Sequence, residues 1–246
     1  MVRRSVSVTR AIPKIVGVIL SRTDLQRAIR MRRPPDFFEL RLDALVRYLD
    51  EVEAALERLP APLIFTARDP REGGLNRLSL RARRDLLLRF LPYAALVDIE
   101  LRSIKSHAAV WRTARKKKIR TIISFHDFRA TPSAARLEKI AAAADSLGAA
   151  VLKVAMRTDT ANQLARLLDF FERHRSQIEI AAMGIGRLGR KSRVLLAERG
   201  SVFNYGHIGV AQADGQLSIR VLRRALAGSP EHRHPACAPN PENFRG

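Results

Sequence analysis

One cysteine, one tryptophan and an aromatic content of 6% mark this chain by what it does without. The single thiol, Cys237, excludes an internal disulfide and a cysteine-rich zinc site, and with them any argument for an oxidising compartment. No apolar run approaches the roughly 18 residues that cross a bilayer, and no signal-peptide core stands before a small-residue cleavage site. The expectation is a cytoplasmic chain with no membrane partner. Acidic residues are also short: 24 Asp and Glu face 45 Lys and Arg, a net charge of +21. That surplus suits nucleic acid, but the sparse aromatics do not interleave with the basic runs and no zinc-finger or RNP motif occurs, so no specific nucleic-acid partner is expected. A positive field that draws a small anionic substrate is the alternative. Arginine supplies 37 of the 45 cations; most lie at helical spacing, as in the runs 81–84, 112–120, 187–193 and 220–224, and read as solvated polar faces.

What is present is a repeat of alternation. Short apolar segments at 15–20, 37–42, 63–68, 96–101, 121–126, 150–156, 178–183 and 202–205 read as strands. Amphipathic stretches at 23–31, 44–59, 77–91, 104–118, 132–147, 160–174, 190–199 and 217–226 read as helices between them. Eight strand–helix pairs within 246 residues are the count and length of a single-domain (β/α)8 TIM barrel, an α/β fold. A doubly wound sheet is the other α/β candidate, but it usually carries a glycine-rich phosphate turn after its first strand, and none is found. Residues 1–14 form a basic N-terminal segment, 15–228 the barrel, and 229–246 a proline-rich irregular tail. His232, His234 and Cys237 in that tail match no closed zinc spacing.

The chemistry is legible in polar residues on strand faces that should be apolar. Along a barrel strand every second side chain points inward. Glu39, Arg41 and Asp43 share one face of the second strand, while Phe38, Leu40 and Leu42 take the other and should meet the helices. Thr66 and Arg68, Asp98 and Glu100, Ser124 and His126, and finally Lys153 repeat the pattern on the next four strands. A single buried charge is more often a structural ion pair than a catalyst. Five adjacent strands aiming polar groups inward near their C-terminal ends is where this fold builds active sites. Lys153 stands out, flanked by Val151 and Ala155 on its own face. Desolvation and neighbouring cations such as Arg41, Arg68 and Arg193 would favour its neutral, nucleophilic amine, pointing to Schiff-base chemistry on a carbonyl, with His126 moving protons. The competing reading is a Lys153–Glu ion pair inside the barrel.

Phe38-Glu39-Leu40-Arg41-Leu42-Asp43, Phe65-Thr66-Ala67-Arg68 running on to Glu72-Gly73-Gly74, Val97-Asp98-Ile99-Glu100-Leu101, Ser124-Phe125-His126-Asp127-Phe128, Leu152-Lys153-Val154-Ala155, Met183-Gly184 leading to Ser192-Arg193, and Gly215-Gln216 occur in that order. Taken together, the chain resembles the type I 3-dehydroquinate dehydratases of the shikimate pathway. The resemblance implies that Lys153 forms an imine with the ketone of 3-dehydroquinate. His126 then serves as acid and base, and Glu72 holds its imidazole. It further implies that Arg193 clamps the substrate carboxylate and that Glu39, Arg41 and Arg68 bind its hydroxyls. Met183 and Tyr205 pack its ring, and Gln216 contacts it from a lid after the eighth strand. No metal or organic cofactor is implied, because the imine is the electron sink. A homodimer is implied as well.

Two departures from the family pattern fall in the lid and beneath it. Gln212-Ala213-Asp214-Gly215-Gln216 stands where the family usually has Ser-Ala-Pro-Gly-Gln, so Gln212 takes the place of a substrate-contacting serine and Asp214 that of a stiffening proline. An added acid there is expected to disturb binding or closure. Tyr205 stands where an apolar aromatic is common. Two other functions compete. A carbon–carbon aldolase would need phosphate-binding loops and a different base, and a non-catalytic relative with a recruited basic surface would be expected to lose one of Lys153, His126 and Glu72.

Overall fold

All eight anticipated strands form in the computed structural model, which describes residues 12–227. They are β1 (Lys14–Ile19), β2 (Phe37–Arg41), β3 (Leu63–Thr66), β4 (Leu96–Glu100), β5 (Arg120–Asp127), β6 (Val151–Arg157), β7 (Ile180–Ile185) and β8 (Phe203–His207). Every pairing is parallel, in the order β7-β6-β5-β4-β3-β2-β1-β8. At the remaining seam the Val202 N–H donates to the Ile180 carbonyl at 3.0 Å and the Ala182 N–H to Ser201 Oγ at 3.0 Å, bringing the last strand against the seventh. The result is a nearly closed (β/α)8 barrel, as the alternation predicts. Of the expected segment 1–14 only residues 12–14 are described, with Lys14 opening β1, and the expected tail 229–246 lies outside the described residues.

Period-two alternation sorts the core into two layers. Phe38, Leu40, Phe65, Val97, Ile99, Ile123, Leu152, Val154 and Met156 face outward and pack with helix residues such as Leu87, Phe90, Leu167 and Phe170. Val16, Val18, Ile64, Leu96, Ile122, Val151, Ala181 and Met183 fill the barrel interior. Each wholly buried Leu or Phe of the outer layer contributes about 1.5–3 kcal/mol. Lys153 stands between Val151 and Ala155 on the inner face, where the alternation puts it.

The helices are α1 (Arg22–Ile29), α2 (Leu42–Leu45), α3 (Leu49–Ala55), α4 (Leu80–Phe90), α5 (Ala108–Lys116), α6 (Ala134–Ser146), α7 (Ala161–His174), α8 (Gly189–Glu198) and α9 (Ile219–Ala227). Side-chain caps fix several of their starts: Ser21, Ser79, Ser133 and Thr160 each accept a first-turn N–H, and Thr160 with Gln163 forms a full capping box. The single helix predicted over 44–59 is instead broken, with α2 beginning at Leu42 and short 3-10 turns following α2 and α3. The early start has a cause. Asp43 is wholly buried, accepting both Arg41 nitrogens at 2.9 Å and the N–H groups of Arg68 at 3.0 Å and Leu75 at 2.8 Å. It draws the chain inward directly after β2.

Arg83 corrects the reading of the 81–84 run as a solvated face. It is 1% exposed and ion-paired to Asp69 at 2.8 Å and Glu100 at 3.1 Å. Its helix buries Arg83, Leu86, Leu87 and Phe90, spacings of three and four that place the guanidinium on the apolar stripe. Removing one member of such a buried set strands the others. Arg83→Ala should therefore cost about 3–5 kcal/mol in denaturant unfolding, and a loss below about 1 kcal/mol would contradict the role given to this network.

Candidate active site

The C-terminal strand ends open onto a cavity of about 170 Å³. Its wall includes Glu39, Arg41, Arg68, Glu72, His126, Lys153, Met183, Arg193, Tyr205, Gln212 and Gln216, so the eleven residues anticipated for the site converge there. Asp214 does not line it. The side chain of Asp214 is 75% exposed and lies 3.7 Å from Arg157, which corrects the expectation of an added acid beside the ligand.

Lys153 is buried, with Nζ 2.8 Å from Glu39 Oε1 and 3.1 Å from Asp98 Oδ2. The amine also lies 3.8 Å from the centre of the Tyr205 ring. The cations expected to crowd it are not its contacts; two carboxylates and an aromatic face are. Arg68 instead spans the carboxylates. Its two terminal nitrogens donate to Asp98 at 3.1 and 2.7 Å, and one also reaches Ser124 Oγ at 2.6 Å and Glu100 at 3.2 Å. Ser124 passes a hydrogen bond back to Asp98 at 2.6 Å, and Thr66 donates to Glu39 at 2.9 Å. Despite burial, which favours the neutral acid, Arg68 and Lys153 hold Asp98 far below the usual carboxylate range. The expected ion pair and a cavity-facing amine are thus both present in one arrangement.

The second element is a loop that carries Glu72 to His126. Asp69 caps a short 3-10 turn, Pro70–Glu72, by accepting the Arg71 N–H at 2.8 Å. Gly73 follows at φ +84, a left-handed conformation that disfavours side chains, and a Cβ there would come within 2.7 Å of the Phe128 ring. This turn delivers Glu72 to β5. Glu72 Oε2 accepts the His126 backbone N–H at 3.0 Å and lies 3.0 Å from His126 Nδ1. Burial pushes Glu72 up to about 7, with Arg68 pulling the other way, and burial together with Arg68 and Lys153 holds His126 well below its ordinary value. With Glu72 ionised, Nδ1–H is the donor and Nε2 is left as the free base.

Arg193 is a buried cation of the cavity wall with no carboxylate partner among the described residues. It donates to Tyr205 O at 3.4 Å and contacts Met183 Sδ at 3.6 Å, its Nε has no partner among the described residues, and burial brings it down to about 10. The Tyr205 hydroxyl is likewise buried without a partner among the described residues, and burial raises its pKa well above 10. Arg41 is held by Asp43 and the Gly73 carbonyl. The lid is stapled internally, because the Gln212 N–H donates to Gln216 Oε1 at 2.7 Å.

Sequence reasoning placed Asp98, Glu100 and Ser124 inward without giving them a role, and it missed Asp69, Arg83 and Phe128. Arg83 alone left a signal, its position on an apolar helical stripe. Asp69 and Phe128 are loop residues whose importance arises from contacts across 14 residues to Arg83 and across more than 50 to Gly73.

The barrel and the polar cavity at its C-terminal mouth define the class, a barrel enzyme. The model of the type I 3-dehydroquinase family matches residues 12–231, and the chain belongs to that family. A 3-dehydroquinate dehydratase of Thermococcus gammatolerans is 30% identical over 214 residues, covering 86% of this chain and 97% of that protein. One of Thermococcus onnurineus is 31% identical over 215 residues, covering 86% and 96%. The Geobacillus kaustophilus 3-dehydroquinate dehydratase structure aligns at a TM-score of 0.80 and 26% identity, covering 90% of this chain and 93% of that one. The Clostridium difficile type I enzyme, solved with covalently modified comenic acid, aligns at 0.77 and 25% over the same shares. No helix among the described residues is long and apolar enough to cross a membrane.

The depressed basicity of His126 has a direct readout. Its ring resonances should keep their neutral-imidazole position at pH 6.5, where a free imidazole is about half protonated. A midpoint at that pH would contradict the burial and cation effects assigned to it.

Proposed function

We propose that this chain is a 3-dehydroquinate dehydratase, a hydro-lyase of the shikimate pathway, that works through an imine on Lys153. The observation that carries the reading is the Lys153 amine, buried, gripped by Glu39 and Asp98, and opening on the same cavity as a neutral His126. The two carboxylates fix the direction of Nζ. After it gives up a proton, its lone pair attacks the ketone carbon, and loss of water forms the imine. The imine nitrogen then withdraws electrons from the neighbouring C–H bond, and Nε2 of His126 takes that proton. Electrons return from the resulting enamine to expel the hydroxyl, which leaves as water with the proton from His126. Hydrolysis of the imine releases 3-dehydroshikimate and restores the amine.

Arg193, buried and without a carboxylate partner among the described residues, is the natural partner for the substrate carboxylate, since a guanidinium takes a carboxylate through two parallel hydrogen bonds. In this reading Glu39, Arg41 and Arg68 orient hydroxyls, Met183 and Tyr205 pack the ring, and Gln216 closes over it from the lid, a reading supported by their all lining the cavity. A homodimer in the cytoplasm, with the small anionic substrate drawn by the positive field, completes the reading.

Borohydride added with 3-dehydroquinate should fix a covalent adduct on Lys153, located by peptide mass. Lys153→Ala should abolish both adduct and turnover, followed as the ultraviolet absorbance of the conjugated product. His126→Ala should still form the adduct while kcat falls by roughly 10²–10⁴-fold. An adduct on another lysine, or full activity in either variant, would overturn the corresponding role.

A further inference from the structure

A second cavity, of about 560 Å³, lies on the far side of the Glu72–His126 pair. The two cavities share Glu72, His126 and Phe128 and nothing else among their lining residues. The outer one has an apolar floor of Leu101, Phe125 and Ile140 and a wall carrying four guanidiniums, Arg71, Arg102, Arg129 and Arg136, against the carboxylates Glu72 and Asp127. Arg71 is taken up by Asp69 at 3.0 Å. The Asp127 carboxylate accepts the N–H groups of Arg129 and Ala130 at 2.9 and 3.0 Å. Arg129 and Arg136 make no ion pair among the described residues; Arg136 stacks over Phe125 at 5.7 Å. Arg102 reaches Glu72 Oε1 at 3.8 Å and is 42% exposed, so it stands between the outer cavity and the base of the inner one.

From this arrangement we infer that the outer cavity binds an organic dianion with a flat apolar body, and that such a ligand slows the proton transfers at His126 by drawing Arg102 away from Glu72. The two unpaired guanidiniums offer bidentate sites for separate acidic groups, and the Phe125 and Ile140 floor takes the apolar body. Coupling needs no long path. Arg102 lines the same cavity and offsets the Glu72 charge from the outer side, so a ligand acid group shared between it and Arg129 or Arg136 leaves Glu72 less able to orient the Nδ1–H. The inference rests on the catalytic reading of Glu72 and His126 for its kinetic part, and on the cavity alone for binding.

Isophthalate, an aromatic dicarboxylate, is the probe, used with the full chain at constant ionic strength so that general screening of the +21 charge is held fixed. Calorimetry should show saturable binding that is lost in the Arg129→Ala/Arg136→Ala double variant. Turnover should fall about fivefold or more at saturation with KM changed by less than about twofold, and the double variant should keep its basal kcat and escape the inhibition. Inhibition that raises KM alone would place the probe in the barrel cavity and overturn the assignment. Binding that survives the double variant, no binding, or binding without a fall in kcat would do the same. If the protein proved inactive on 3-dehydroquinate, the calorimetric comparison would still decide whether the outer site exists, so the two readings fail separately.

Discussion

Asp98 accepts from two cations at once, and the rest of the site is arranged around that fact. Arg68 grips it from one side and Lys153 from the other, while Ser124 closes the gap between Arg68 and the carboxylate. A charge buried so completely is tolerable only when paired and hydrogen-bonded on all sides. Asp98 meets that requirement through partners on three further strands or their ends, so β3, β4, β5 and β6 are tied together at their C-terminal ends by polar contacts. The same ties fix where the amine points.

The network continues outward from this centre. Glu100, one inward step along β4, binds Arg68 with one oxygen and Arg83 with the other, and it also accepts the Asp69 N–H. Arg83 brings α4 into the network, and Asp69 brings in the turn that carries Glu72. A substitution at Arg83, which is not among the cavity's lining residues, would loosen the turn that carries Glu72 as well as the fold. Burial makes this costly and also useful, because the desolvation that strains these charges is what keeps His126 neutral and Glu72 near 7.

Glycine at position 73 ends the turn that carries Glu72. Its left-handed backbone lets the chain turn back beneath Phe128, and Gly74 beside it passes so close to the Arg68 carbonyl that a Cβ would sit 2.1 Å away. The tight approach places Glu72 against β5, between the barrel cavity and the arginine-walled outer one. The Glu72–His126 pair is therefore exposed to the electrostatics of both.

The sequence by itself determined the eight-fold alternation and the face of each strand, because period-two and period-3.6 patterns follow from backbone geometry that neighbours cannot change. Glu39, Arg68, His126 and Lys153 were legible as inward polar groups for that reason, and the ordered motifs added Glu72, Arg193 and the lid. Tertiary structure decided what those groups touch. That Lys153 meets carboxylates and an aromatic face rather than arginines, that Asp214 turns out toward Arg157, and that Arg83 is a buried ion, all depend on contacts between segments distant in the chain. A local pattern specifies which way a side chain leaves the backbone; which charge waits there depends on the closure of the barrel.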